Sequence, residues 1–300
     1  MTTETETLVR PDAVLRPRPR RRVTGRSSGI RSITKHALLV LVSLIMVYPL
    51  IWLVVSSLKP NDQIFRDLSI FTTDLTFENY TNGWNDLQAP FGLFLLNSSI
   101  IALGAIVGNL LSCSMAAYAF ARLQFRGRTL AFTVMLGSIM LPFQVLLVPQ
   151  FLIYKELGWL NTFLPLIAPK FLATEAFFIF LMVQFIRGLP KELFEAARVD
   201  GAGHGQVFFR IILPLAAPAI ASFAIFQFLW VWNDLLVATI FASPGALPIT
   251  QALNSLSGTW GNKWFLQSAG TFISIIVPLI VFFALQRFFV RGLLAGATKG

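Results

Sequence analysis

The sequence predicts an all-α membrane protein of six transmembrane helices, with the N- and C-termini both cytoplasmic. Three observations lead there. Of 300 residues, 55% are hydrophobic and only 13% are charged, which is about half the charged share of a soluble domain. Six separate apolar runs are long enough to cross a bilayer, for which ~20 helical residues suffice. The basic residues between those runs concentrate on alternate connections, as the positive-inside rule requires.

Residues 1–35 come first, as a tail. Arg10, Arg16, Arg18, Arg20, Arg21, Arg22, Arg26, Arg31 and Lys35 all precede the first apolar run, among Pro, Thr and Ser. Without apolar periodicity such a segment is expected to be a disordered cytoplasmic tail. It sets topology and meets anionic lipid headgroups. The net charge of +10 therefore belongs to this tail and to the inner connections, and no nucleic-acid surface is expected. The basic region is too long for a signal peptide, and no small-residue cleavage site follows the apolar run.

Residues 36–300 form the transmembrane domain. The spans are read at 36–58, 94–120, 129–154, 162–186, 208–232 and 269–290. Lys59-Pro60 closes the first. Pro142, Pro149, Pro165, Pro169 and Pro278 break or kink later spans, a pattern suited to helices that line a pathway. With the N-terminus inside, the inner connections hold Arg122, Arg126 and Arg128, then Arg187, Lys191, Arg198 and Arg210, then Arg287, Arg291 and Lys299. The other side has only Lys59, Arg66, Lys155 and Lys263, together with the acidic run Asp62, Asp67, Asp74, Glu78 and Asp86. Most tryptophans fall near the outer boundaries, where an aromatic belt lies. Two outer segments, 59–91 and 233–268, are long; the second reads as turns around one short helix.

Several chemistries are excluded. Cys113 is the only cysteine, and His36 and His204 are the only histidines. That rules out an internal disulfide and any Cys- or His-rich metal site. No Gly-x-x-x-x-Gly-Lys-Ser/Thr loop offers a nucleotide phosphate site, and no cluster of His, Cys or carboxylates marks an enzyme centre.

Polar residues inside the runs need partners. Lys170 and Glu175 share the fourth span, where each charge costs ~2.5–3.5 kcal/mol on insertion scales. Five residues apart on a continuous helix, they lie ~140° around the axis and are poorly placed to pair. They serve either a polar path or a structural end. Asn97, Asn109, Gln144, Gln150, Gln184, Gln227 and Asn233 are amides of the kind that bind hydroxylated solutes. Singly, each reads as interhelical glue at ~0.6 kcal/mol. Asn97, Gln144, Glu175, Gln227, Asn233 and Asp234 are the candidate pathway or substrate residues.

The inner connection after span four is unusual. In "EAARVDGAGHGQVFFRIILP", Glu195–Pro214, charges and three glycines interrupt the apolar chain. Pro190 opens a helix, and Gly201 stops it. Leu193, Ala196 and Ala197 share one face at three- and four-residue spacing, and Glu192, Glu195 and Arg198 lie around the other side. A turn through Gly203 and Gly205 and a second short helix follow. On these residues alone, the loop at about 188–207 reads as an interfacial connection.

The spacing Glu195-Ala196-Ala197, three residues, Gly201, nine residues, Ile211, one residue, Leu213-Pro214 resembles the EAA signature of ABC importer permeases. From about residue 33 onward the chain is similar to the carbohydrate-uptake branch, the maltose-type second permease. "LTFENY" at 75–80, "NSSIIALG" at 97–104, "AAYAFARLQFRG" at 116–127, "WNDLL" at 232–236 and "RGLLAGATKG" at 291–300 carry that likeness. The resemblance implies a type I importer permease fold in the cytoplasmic (inner) membrane of a bacterium, crossed several times. It implies a non-catalytic transport subunit in a heterodimer with a second permease. An ATPase dimer that binds ATP and Mg, and an extracytoplasmic substrate-binding protein, complete the assembly. It assigns Glu195, Ala196, Ala197, Asp200, Gly201, Ile211, Leu213 and Pro214 to ATPase coupling, and Thr298, Lys299 and Gly300 to a tail contact with the ATPase. No cofactor is expected in this chain. The competing expectation, a stand-alone secondary carrier or channel, rests on Lys170 and Glu175.

Overall fold

The computed structural model describes residues 27–297, apart from residues 71, 73, 86, 88, 243–245, 259 and 260. It is helical throughout, save a two-residue antiparallel hairpin, Ser257–Gly258 with Gly261–Asn262. Two units are distinguished, residues 1–49 and 50–300. Helix α1, Ser27–Ser57, begins ahead of His36, so the end of the sequence given to a tail is helical. Within the first unit, residues 31–49 are exposed on every side, as suits an apolar helix whose solvent is lipid.

In the second unit the order is α2 Glu78–Asn85, α3 Phe91–Arg122, α4 Arg128–Ser138, α5 Phe143–Glu156, α6 Leu164–Ile167 and a 3₁₀ turn Ala168–Leu172. There follow α7 Ala176–Arg187, α8 Glu192–Val199, α9 His204–Val207, a π turn Phe208–Ile212, α10 Leu213–Leu215 and α11 Ala217–Trp232. The last are α12 Leu235–Phe241, α13 Ile249–Ser255 and α14 Trp264–Ala297. The six expected spans are all present, but only four are single apolar stretches. The third is α4 and α5, bent by 101° at residues 139–142, and the fifth is α9–α11, bent by 77° at Ala216. Pro142 closes the first bend, where its missing N–H and its ring exclude a continuous ladder.

Helix α3 is central. It packs against α7, α11, α13, α6 and the 3₁₀ turn. Ile179, Met182, Val183 and Ile186 make the stripe by which α7 enters the core beside Ala117 and Tyr118 of α3; the spacing is that of one helix face. Near the other end of α3, Phe91, Phe94 and Ala102 meet Phe228 and Trp232 of α11 and Ile249 and Ala252 of α13. A smaller cluster joins Leu147 and Tyr154 of α5 to Phe241 of α12.

The segment 233–268 holds two short helices rather than the one expected. The missed one, α12, starts at Asp234, whose Oδ1 accepts from the Val237 N–H at 3.0 Å. An apolar run of seven residues is too short to be separated by pattern from the end of a span. In the segment 59–91, Lys59 is 1% exposed. Its Nζ donates to the carbonyls of Asp67 at 2.6 Å and Ser69 at 2.7 Å, and lies 3.6 Å from the Asp67 carboxylate. Hydrogen bonds from Ser69, and then the Lys59 charge, hold the Asp67 carboxyl below its ordinary range.

Span four approaches α3 closely because α3 offers glycines on that side. A Cβ on Gly104 would sit 2.9 Å from Ile167, and one on Gly108 would sit 2.5 Å from the Phe171 ring. This is the small-xxx-small device of membrane helices. Gly108→Val should therefore push the 3₁₀ turn off α3. The expected cost is ~1–3 kcal/mol, read as a lower unfolding temperature in detergent. Adding Phe171→Ala should recover part of that loss; equal unfolding temperatures for wild type and Gly108→Val would refute the close contact.

Candidate functional site

The loop after span four is built as a helix, a turn and a second helix. Phe194 of α8 is 8% exposed and joins the core with Val207, Phe208 and Ile212. Ala197 packs against the same core, whereas Leu193 is 43% exposed and Val199 is 87% exposed. The face expected from Leu193, Ala196 and Ala197 is thus corrected. Phe194 and Ala197 turn inward, and Leu193, Glu195, Ala196, Val199 and Asp200 turn outward. The cause is Arg122, the last residue of α3. Its guanidinium carbon stands 4.1 Å over the centre of the Phe194 ring, a cation–π contact that fixes the roll of α8. Its Nη2 also donates to the carbonyls of Ile186 at 2.7 Å and Leu189 at 2.6 Å, at the end of α7.

The helix then stops by a Schellman closure. The Ala202 N–H reaches the Ala197 carbonyl at 2.9 Å and the Gly201 N–H reaches that of Arg198 at 3.1 Å. Gly201 takes φ 80°, a conformation that costs other residues ~1–2 kcal/mol. Next, Gln206 Oε1 accepts from the Gly203 N–H at 3.1 Å, starting α9. His204 Nδ1 lies 3.1 Å from the Tyr118 hydroxyl of α3. Pro214 stands where an N–H to the Arg210 carbonyl would be needed, and the π turn Phe208–Ile212 precedes it; a proline opens the ladder in this way. Ile211 and Leu213 are half-buried at this bend, and Pro214 is exposed.

A second polar place is the break in span four. The chain leaves the 3₁₀ turn at Ala173, with φ 54°, and α7 restarts after Glu175. On this broken backbone Lys170 Nζ and the Glu175 carboxylate meet directly. The expectation that they are poorly placed to pair assumed a continuous helix and is corrected by the break. Both are about three-quarters shielded, with side chains 24% and 26% exposed. Helix α3 lies against both ends of the break: Ser112 Oγ donates to the Lys170 carbonyl at 2.7 Å, and the Cys113 sulfur lies 3.8 Å from that of Glu175.

Residues 108–295 match the family described as "Binding-protein-dependent transport system inner membrane component", which is well over half of the chain. The chain belongs to this family. It is 42% identical to the osmoprotective compounds uptake permease protein GgtD of Synechocystis, over 88% of this chain and 91% of that one. It is 44% identical to the alpha-glucoside transport system permease protein AglG of Rhizobium meliloti, over 75% of this chain and 60% of that longer one. Among solved structures it resembles a chain of a bacterial ABC transporter involved in the import of the acidic polysaccharide alginate, with a TM-score of 0.73 at 23% identity, covering 88% of this chain and 98% of that one. That likeness establishes the fold of an ABC importer permease.

The other candidate residues of this permease separate into kinds. Asn97 is buried and its Nδ2 donates to the Leu247 carbonyl at 3.0 Å. Gln227 is buried, and its Oε1 accepts from Asn109 Nδ2 at 2.8 Å, while the Asn109 carbonyl faces the Cys113 thiol. These tie helices together. Asn233 is exposed and its Nδ2 donates to the Leu229 carbonyl at the end of α11. Gln144 is exposed on the first turn of α5. Glu175 pairs with Lys170 at the break, and Asp234 caps α12. Thr298, Lys299 and Gly300 lie outside the described residues. Among the described residues no group of three His, Cys, Asp or Glu could hold a metal.

Sequence reasoning used Arg122 only to orient the spans. Its position one turn past Tyr118 and at the end of a long apolar run was the available signal. Arg122→Gln should leave the permease inserted but free α8 to roll, with solute uptake falling on the order of tenfold, the size of a lost coupling term of 1–3 kcal/mol. Arg122→Lys should recover little, because a point charge cannot stack on Phe194 and serve two carbonyls together. Uptake by Arg122→Gln at the wild-type rate and equal expression would show that the grip is dispensable.

Proposed function

We propose that this permease is the non-catalytic membrane subunit of an ATP-driven importer for a sugar, an oligosaccharide or a sugar-derived osmolyte. It pairs with a second permease in the inner membrane of a bacterium and forms half of the translocation pathway. The loop at 188–207 and both termini lie on the cytoplasmic side. A separate ATPase dimer binds ATP and Mg and receives α8, and an extracytoplasmic binding protein delivers the solute. The observation that carries this reading is the outward face of α8. Leu193, Glu195, Ala196, Val199 and Asp200 stand exposed on a helix whose other face is clamped by Arg122. A small apolar surface rimmed by carboxylates fits docking into a separate protein.

The relatives support the solute class. Besides the osmoprotectant and alpha-glucoside permeases, they include the diacetylchitobiose uptake permease protein NgcG of Streptomyces coelicolor, 33% identical, and the arabinooligosaccharides permease protein AraQ of Bacillus subtilis, 32% identical. A further alginate transporter structure, in complex with a pentasaccharide-bound periplasmic protein, shares the fold with a TM-score of 0.64. Nucleotide-driven closure of the ATPase pair would move the coupling loops and shift the permeases between inward- and outward-open populations, each ligand acting through its differential affinity for the two. We place Lys170, Glu175 and Asp234 on the solute pathway.

Two variants test the docking. Glu195 has no ion-pair partner among the described residues, so Glu195→Lys should spare the fold. It should reduce ATPase recovered with the permease by roughly five-fold or more. Undiminished co-purification together with undiminished solute-stimulated hydrolysis would sink the docking role. At Gly201 an added Cβ meets nothing within 4 Å, so Gly201→Asp strains the backbone alone, by ~1–2 kcal/mol. It is expected to stay in the membrane at normal levels while uptake is lost. Solute flux through the reconstituted chain without any ATPase would replace the importer reading with that of an independent carrier.

A further inference from the structure

The rim that carries α8 also holds a basic hollow that the coupling role does not use. A cavity of ≈ 430 Å³ lies between the start of α4 and the end of α7, lined by Gln124, Arg128, Thr129, Phe132 and Arg187 among others. Arg128 uses one donor on the Leu123 carbonyl, at 3.1 Å. Arg187 lies 5.3 Å over the centre of the Phe132 ring. Neither arginine has a carboxylate within 4.0 Å among the described residues. Two guanidinium groups facing one hollow repel each other unless an anion joins them. The backbone adds donors of the same sign. Gly127 gives α4 no side-chain cap, and the N–H groups of Thr129 and Leu130 have no acceptor among the described residues. Immediately beside the hollow, Leu130 is 70% exposed and Val134 64% exposed, one turn apart on α4. An anion held by Arg128 and Arg187 would thus sit beside an exposed apolar stripe on α4.

We infer that this hollow binds the phosphate of an anionic phospholipid headgroup, with the acyl chains lying along Leu130 and Val134. Arginine forks suit phosphate oxygens and the uncapped turn supplies further N–H donors. Phe132 holds the Arg187 plane toward the lipid. The site needs only that this rim lies at a bilayer surface. A bound lipid would brace the start of α4 against the end of α7, the same end that Arg122 fastens to the coupling loop.

The test uses the full chain in its purified assembly, in mild detergent, titrated with phosphatidylglycerol and followed by native mass spectrometry. Arg128→Gln with Arg187→Gln should weaken phosphatidylglycerol retention roughly thirty-fold, from the typical contribution of one basic residue applied twice. Lysines at both positions should restore part of it. Retention equal to wild type in the double glutamine variant, or equal retention of phosphatidylcholine by the wild type, would overturn the site. Displacement of the lipid by glycerol phosphate at matched concentration would overturn it too, since a soluble anion would then be the occupant. The wild-type assembly gives an independent reading in nanodiscs. Phosphatidylglycerol should slow amide exchange at Thr129 and Leu130 relative to phosphatidylcholine alone, and unchanged exchange there would refute the inference.

Discussion

A helix that breaks inside a bilayer frees carbonyl and N–H groups that lipid cannot satisfy. In this permease α3 supplies the partners, and the rest of the fold is arranged around that service. Ser112 takes the Lys170 carbonyl on one side of the break in span four, and Cys113, next in sequence, stands 3.8 Å from that of Glu175 on the other. Arg122, at the end of the same helix, takes those of Ile186 and Leu189 where α7 finishes. Close approach is the condition for all of it. Gly104 and Gly108 let the 3₁₀ turn lie against α3, within reach of a serine hydroxyl. A larger residue there would remove the partners together with the contact.

Fastened at both ends, α7 becomes a rod. Its twelve residues span ~18 Å at 1.5 Å per residue. At one end is the Lys170–Glu175 pair and at the other the loop that carries α8. Because Arg122 holds the end of α7 and the Phe194 ring with the same guanidinium, α8 cannot roll without disturbing α7 and α3. Buried side chains of α7, Ile179, Met182, Val183 and Ile186, are 0–3% exposed, and a core packed at that density transmits displacement rather than absorbing it. In the proposed importer this is the physical path from the ATPase cleft to the polar break.

How much of this was legible in the sequence depended on whether a feature is local. The spans were legible, because bilayer thickness imposes a length of apolar helix. So was the turn at Gly201, where the chain needs positive φ whatever surrounds it. The roll of α8 was not. Its pattern admits Leu193 or Phe194 as the buried anchor, and the choice is made by Arg122, distant in sequence. The Lys170–Glu175 pair was misjudged for a related reason. Pro165 and Pro169 signal irregularity, yet the break falls at Ala173, whose φ of 54° is not a proline effect. The task of Arg122 was hidden because an arginine past an apolar run satisfies a topology rule already, and the rule gives no reason to look for carbonyls.

The polar residues now constrain where a solute can pass. Asn97, Asn109 and Gln227 are buried at 1–3% exposure and bonded within the bundle, so they present little to a pathway. Lys170, Glu175, Asp234 and Gln144 keep part of their surface open. Against hydrocarbon such groups cost several kcal/mol, which exposed apolar neighbours such as Met140 and Val148 do not. The open polar faces are therefore turned away from lipid, toward water or another protein. In the proposed heterodimer the second permease would stand against these faces. Open polar faces of this kind suit one half of the proposed pathway, which would open and close at the joint between two permeases.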